Sequence, residues 1–400
     1  MTRRPIIIAH RGACGHRPEH TLQAYAEAIK QNADFIEPDL VVTSDKVLVA
    51  RHDNALATVK IDANQNIVVG KDNKPLVVEE TTNVADLPEF QDRLTVKTLD
   101  GVPIGGWFVE DFSIDEIKRL RARERMPDVR PGNVEFNDRF EIPTLSEVIR
   151  LVKNTEAHTR KRIGIYPETK HPTYFAQEGR FLHGERIECC IGQLLVQTLA
   201  EEQFTESDRV FIQSFEFANL IELKKEILPQ HQLTFPLIQL YGESGDPSDE
   251  TPPSPSSFSR PYDMVYNVLH HHDLKKLYGE LPDLVEGGIT ASTGYAELLA
   301  DNVLKFISGE YAAGIGPWKE RLLLDRDLHP GLQSALDLGL EVHPYTLRAE
   351  ERFLRRDDEG KPMGIEEEVV RMLGLGVTGF FIDQPYAGWL ARQRFLKDSG

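Results

Sequence analysis

A chain of 400 residues, 40% hydrophobic and 28% charged, has the composition of a globular protein with room for one large α/β barrel or for two to three ordinary domains. Its formal net charge of −18 disfavours a nucleic-acid backbone or an anionic membrane surface as partner, because no basic run opposes the overall field. Cys14, Cys189 and Cys190 form an odd set with two adjacent members, which reads as reduced thiols without a disulfide. Met1-Thr2-Arg3-Arg4-Pro5 leads straight into Ile6-Ile7-Ile8, too short for a leader's apolar core, and no stretch approaches the ~18 apolar residues of a membrane span. The expectation is a cytoplasmic protein without stable membrane insertion; the alternative is a periplasmic one whose leader has been removed.

In chain order, Ile6-Ile7-Ile8-Ala9-His10 reads as a buried strand, and Leu22, Tyr25, Ala26 and Ile29 recur at helical spacing behind a Thr21 cap. A second strand over 34–42 passes to a third over 47–53 through Thr43-Ser44-Asp45-Lys46, a link too short for a crossover helix. Residues 54–139 are rich in Asn, Asp, Pro and Gly and read as an insertion of hairpin character. It ends on a helix from Ser113 to Arg125 that opens with the capping box Ser113/Glu116. Alternation then resumes: helix 144–154, strand 162–168, helix 185–202, strand 209–215, helix 216–228 and strand 235–241. A Pro/Ser-rich mobile loop is expected at 243–260, within a variable excursion over 243–300, and Gly314-Ile315-Gly316-Pro317 reads as a turn. Helix 330–339, strand 340–347, helix 364–375 and strand 377–383 close the chain, and such alternation over its length predicts a parallel sheet or barrel.

Four apolar runs turn polar at their ends: at His10-Arg11, Glu37-Pro38-Asp39, His52-Asp53 and Glu168-Thr169-Lys170. In a parallel barrel the C-terminal strand ends face the active site, so these side chains would converge on one mouth. Glu37 and Asp39, two apart on a strand, point the same way and repel unless a cation or proton lies between them. Glu168 supplies a third hard oxygen ligand, as Ca²⁺ or Mg²⁺ requires. His10 and His52 suit proton transfer near neutral pH, while Arg11 offers a planar fork and Lys170 a point charge to a phosphate. Gln213, Tyr345 and Asp383 lie at later strand ends, where lining and structural roles fit equally. In His270-His271-His272 neighbouring side chains diverge, so no ligand set is read there.

Taken in order, His10-Arg11-Gly12-Ala13, Pro18-Glu19-His20-Thr21, Glu37-Pro38-Asp39, His52-Asp53 and Glu168-Thr169-Lys170 resemble the signature of the glycerophosphodiester phosphodiesterases. Gly106-Trp107-Phe108, Ile142-Pro143-Thr144-Leu145, Phe211-Ile212-Gln213-Ser214-Phe215-Glu216, Gly314-Ile315-Gly316-Pro317-Trp318 and His343-Pro344-Tyr345-Thr346 are similar to that family's longer, bacterial periplasmic and plant-type branch. The resemblance thins at about 60–80 and 243–300, and His20 stands where an Asn is usual.

The resemblance implies an α/β protein: a TIM (β/α)8 barrel of the phospholipase-C-like phosphodiesterase type with a small insertion subdomain. The catalytic barrel would span 1–53 and 140–400, and the insertion 54–139. It implies one divalent cation, Ca²⁺ or Mg²⁺, on Glu37, Asp39 and Glu168, and a general acid/base pair in His10 and His52. Arg11 would serve catalysis and substrate binding, and Lys170, Gln213 and Tyr345 would line the substrate. The implied partner is a small glycerophosphodiester such as glycerophosphocholine or glycerophosphoethanolamine, cleaved to glycerol 3-phosphate and an alcohol. Two competitors are a phospholipase acting on intact lipids, which would need a docking rim that the acidic chain does not display, and a non-catalytic phosphodiester-binding barrel.

Overall fold

The computed structural model describes residues 4–243, 258–321, 323–324, 327–357 and 359–398. Most of the loop expected at 243–260 therefore lies outside the described residues. The chain builds a TIM barrel. Its eight parallel staves are Ile6–His10, Phe35–Glu37 continued by Asp39–Val42, Gly164–Ile165 continued by Glu168–Thr169, Ile212–Ser214, Leu237–Tyr241, Ala312–Pro317, Glu341–Val342 and Gly379–Ile382. Pairing runs around the ring in chain order, and the last stave returns to the first through Ile6↔Gly379 and its successors. A parallel bridge at Leu347↔Ile382 joins the seventh and eighth staves, and one at Ile165↔Val210 joins the third and fourth.

Ile8, Phe35, Tyr166, Phe211, Ile238 and Phe381 form a buried cluster inside the ring, one side chain from each of six staves or its edge. The larger core lies between the ring and its helices, where Leu145, Val148, Ile149 and Val152 of helix Leu145–Thr159 are buried. That helix starts where Thr144 and Glu147 close a capping box, and Thr21 caps helix Leu22–Lys30 by accepting from Ala24 N at 3.1 Å.

Four expectations are corrected. The run 47–53 is not a barrel stave: Leu48–Ala50 folds back antiparallel on the second stave, with Leu40↔Ala50 and Val42↔Leu48 paired. The four-residue link permits only a hairpin. Gly314-Ile315-Gly316-Pro317 belongs to stave Ala312–Pro317 rather than a turn, because Gly314 and Gly316 sit where a Cβ would press into the neighbouring staves. The helix expected over 113–125 stops at Ile114–Ile117; Ala122 and Arg123 then donate their N–H groups to Phe140 O and Thr81 O in extended pairing. The helix expected over 185–202 runs only from Ile191 to Glu201. Before it, Ile187 and Cys189 are buried alternately and bond back to Gly179 O and Phe175 O. That alternation has a period of two, the mark of extended chain.

Between the second and third staves, residues 55–108 form a four-stranded antiparallel sheet in the order Val77–Glu80, Ala55–Val59, Val102–Phe108, Thr95–Leu99. The chain from 120 to 140 then crosses back to the barrel mouth, which brings Arg125 and Arg130 to the strand ends. No helix among the described residues is long and apolar enough to cross a membrane.

Candidate active site

Strand register brings the polar residues to one level. His10 is opposite Glu37, and Glu168 is opposite both Asp39 and Gln213. Pro38 interrupts the second stave between Glu37 and Asp39, and the two side chains meet Glu168 so that one ligand atom from each lies within 4.8 Å of the others. All three are buried, at 5% exposure or less. Burial, then Asp39, pushes the Glu37 carboxyl up, and burial pushes Glu168 to about 8 although Lys170 opposes it. Burial would also raise Asp39, but Lys170 and His20 outweigh it and hold the carboxyl low.

Lys170 Nζ lies 2.7 Å from Glu168 and 3.5 Å from Asp39. Asp39 Oδ1 accepts no hydrogen bond. Three buried carboxylates with one ammonium between them are short of positive charge, and their oxygens are the donors that a hard divalent cation takes. The residues present fit such an ion.

His10 ends the first stave, with Nδ1 2.7 Å from Asp383 Oδ1. Asp383 follows the last stave, and its other oxygen receives Arg130 and, at 3.0 Å, Arg348 Nε. Burial would raise this carboxyl, but the two arginines hold it well below the ordinary range. An ionised carboxylate only accepts, so His10 Nδ1 carries the hydrogen and Nε2 is left with its lone pair. Burial, then Arg11, lowers His10 to about 4, so the ring is neutral near pH 7.

His52 repeats the pattern on the hairpin. Nδ1 lies 2.9 Å from Asp53 Oδ1, and Asp53 is 2.9 Å from Arg125. Burial followed by Arg11 lowers its pKa as well, although its side chain keeps 31% of its surface exposed. A further trio of His10, Cys14 and Asp383 comes equally close. There the guanidinium of Arg130 already supplies the cation.

Arg11 stands at the centre with Nη1 2.8 Å from Glu19 and Nε 3.5 Å from Asp39, while its own N–H donates to Glu37 Oε2 at 2.7 Å. That geometry needs the tight turn after His10. Gly12 sits at φ +87 with the Ala24 backbone 2.7 Å from where a Cβ would be. Gln213 Nε2 donates to Glu37 Oε1 at 3.2 Å, so it braces the carboxylates. Tyr345 faces the mouth and donates to Tyr241 O at 2.9 Å. His20 is fully buried between Tyr25 and Asp39, at 2.8 and 2.9 Å. The His270 ring stacks on Tyr266 and His272 bonds to Asn267, so the histidine triplet makes no ligand set.

Nine of the residues singled out from the sequence (His10, Arg11, Glu37, Asp39, His52, Glu168, Lys170, Gln213 and Tyr345) line one cavity of about 910 Å³. Sequence reasoning missed Arg125 and Arg130, which arrive from the far end of the insertion with no local signal. It also left Asp383 as one lining residue among several, where the structure makes it the partner of His10.

The glycerophosphoryl diester phosphodiesterase family model matches residues 10–387. The chain belongs to that family. It is 29% identical over 409 residues to a glycerophosphodiester phosphodiesterase of Arabidopsis thaliana, covering 99% of this chain and 88% of the relative. It is 27% identical over 360 residues to a glycerophosphodiester phosphodiesterase of Haemophilus influenzae, covering 86% and 79%. A crystal structure of a candidate glycerophosphoryl diester phosphodiesterase from Silicibacter pomeroyi covers 100% of this chain and 95% of its own, with a TM-score of 0.54 at 18% identity. Membership makes the chain an enzyme of the phosphoric diester hydrolase class.

Proposed function

We propose that the enzyme hydrolyses glycerophosphodiesters, among them glycerophosphocholine and glycerophosphoethanolamine, to glycerol 3-phosphate and the free alcohol. The observation that carries this reading is the pairing of two carboxylate-backed histidines with a cluster of three buried carboxylates in one cavity. Glu37, Asp39 and Glu168 would hold one divalent cation, Ca²⁺ or Mg²⁺. When bound, such an ion supplies Lewis-acid stabilisation of charge on the phosphoryl oxygens.

The chain's own residues do the rest. Lys170 and Arg11, both beside the carboxylates, counter the negative charge that a phosphodiester would meet there. One imidazole Nε2 takes a proton from the attacking oxygen, either water directly or the glycerol hydroxyl with water then opening the cyclic phosphate, and the other ring gives one to the leaving alkoxide. A bound phosphodiester anion favours the protonated ring that the second role needs, and Asp383 and Asp53 stabilise an imidazolium at their respective histidines. Residues 1–53 and 140–400 carry these parts on the barrel, and 54–139 serves as the insertion that delivers Arg125 and Arg130 to the rim.

The test is release of glycerol 3-phosphate from glycerophosphocholine, with EDTA and after restoring Ca²⁺ or Mg²⁺. Loss with the chelator and recovery with one metal is the expected result. Release that EDTA leaves unchanged would remove the cation from the mechanism, and no release under any metal would remove the substrate.

A further inference from the structure

The cavity's 910 Å³ stands near the top of the roughly 300–1,000 Å³ span of small-molecule sites, more than a short glycerophosphodiester needs. One wall is the segment 348–356, which begins at Arg348 on Asp383 and runs to the exposed Arg352 and Arg356. Arg348 and Arg352 both stack on the Phe353 ring, with guanidinium carbons 4.8 and 5.1 Å from its centroid.

Glu351 on this segment is exposed and Glu350 keeps Oε2 without a hydrogen bond, while the remaining carboxylates near the wall are engaged. Glu350 pairs with Arg130 at 2.5 Å, Glu368 with Lys319 at 2.9 Å, and Asp100 on the cavity with His171 at 2.7 Å. Glu320, 3.7 Å from Lys319, adds one looser negative charge to the lining. The other cations around the site, Arg11, Arg125, Arg130, Lys170 and Lys319, all have carboxylate partners. Arg352, Arg355 and Arg356 have none among the described residues. The guanidiniums of two of them reach backbone oxygens, Arg355 to Lys319 O at 3.5 Å and Arg356 to Gly360 O at 2.7 Å, and the Arg355 backbone N–H donates to Glu368 Oε2 at 3.3 Å. In a chain with 64 acidic residues against 46 basic ones, three unpaired guanidiniums on one cavity wall leave an anion site open.

We infer that this wall binds a second phosphate, so that the favoured substrate is a glycerophosphodiester whose alcohol carries a further phosphate group. The inference rests on the phosphodiesterase reading and specifies its substrate. A guanidinium presents a planar fork suited to phosphate oxygens, and Phe353 holds one of the three in place before the ligand arrives. A quaternary or primary ammonium in the same position would be repelled by these arginines, against the weaker attraction of Glu320 and of the Phe258 and Trp318 rings on the same cavity, so choline and ethanolamine are the weaker alcohols. Because Arg352 and Arg356 are exposed, the preference is sensitive to salt.

The test compares kcat/KM for glycerophosphoglycerol and for the same molecule phosphorylated on its terminal hydroxyl, with metal present. The phosphorylated form is expected to be favoured about tenfold at low ionic strength, the size of one charge-assisted hydrogen bond, chiefly through KM. The ratio should shrink with added salt and fall close to one when Arg352→Gln, Arg355→Gln and Arg356→Gln are combined. Arg352→Glu alone, at an exposed position, should reduce the ratio only in part, because it lowers the wall's charge from three to one. No preference in the unaltered enzyme, or a preference that survives the combined substitutions, overturns the second site. Cleavage of neither substrate would instead overturn the phosphodiesterase reading.

Discussion

The two histidines of the site sit in matching pairs with aspartates but are held in different ways. His10 and Asp383 lie 373 positions apart and are joined only because the first and last staves are neighbours. Asp383 is 1% exposed and locked by two arginines from other segments. His52 takes its carboxylate from the next residue, on a hairpin outside the ring, and both side chains keep about a third of their surface, 31% and 33%. The first pair is a product of barrel closure and the second of local chain geometry. The rigid scaffold therefore encloses the His10 ring, while the His52 ring is partly open to the cavity.

That contrast is broken most severely by removing the rings. His10→Ala and His52→Ala should each lower kcat by about 10²–10⁴-fold, with circular dichroism and metal binding retained. A normal rate in either would end its assigned role. Asp383→Asn and Asp53→Asn sharpen the difference. Asp383→Asn leaves Arg348 without its carboxylate and Arg130 with Glu350 alone, and should cost about 3–5 kcal/mol in urea unfolding, as well as activity. Asp53→Asn touches an exposed pair and should cost about 1 kcal/mol or less. Equal losses would mean that the two pairs are equivalent after all.

Metal removal probes the ground between them. A saturating divalent cation at about a hundredfold over its Kd should stabilise the protein by about 2.7 kcal/mol, seen as a rise in Tm that Glu168→Gln abolishes. In EDTA the raised Glu168 carboxyl means that the native state holds a proton which the unfolded chain releases. Stability should then decline as pH rises from about 4.5 toward about 8, a decline that bound metal suppresses.

A second pH effect is the acid limb from His10. Its ordinary value is 6.5 and the folded value about 4, so below 6.5 the unfolded chain takes up a proton that the native site refuses. Stability is lost as pH falls from 6.5 toward 4, by at most about 3 kcal/mol, and His10→Gln should remove that component from urea midpoints measured at pH 7 and pH 5.

Runs of buried apolar residues ending in His10, Glu37, Asp39 and Glu168 carry both the stave and its active-site end in a few consecutive letters. The sequence by itself therefore determined a parallel sheet or barrel, which the family resemblance narrowed to a TIM barrel, and the carboxylate trio and both histidines as candidates. A local signal of this kind needs no partner elsewhere in the chain. Where pairing depends on distant segments, local reading failed. Ser113–Arg125 looks helical, but Ala122 and Arg123 are drawn into extended pairing with Phe140 and Thr81. Val47–His52 has the apolar content of a stave, and only its short link and its antiparallel partner Asp39–Val42 put it outside the ring. Ala312–Pro317 hid a stave behind two glycines that the close approach of Leu240 and Glu341 requires.

Tertiary structure alone decided which group backs His10. The Asp383–Arg130–Glu350 chain joins three segments more than 30 residues apart, and no spacing rule links them. Among the described residues it also left Arg352, Arg355 and Arg356 without carboxylate partners on a shared cavity wall, because charge pairing is settled by distance in space, to which sequence order is blind.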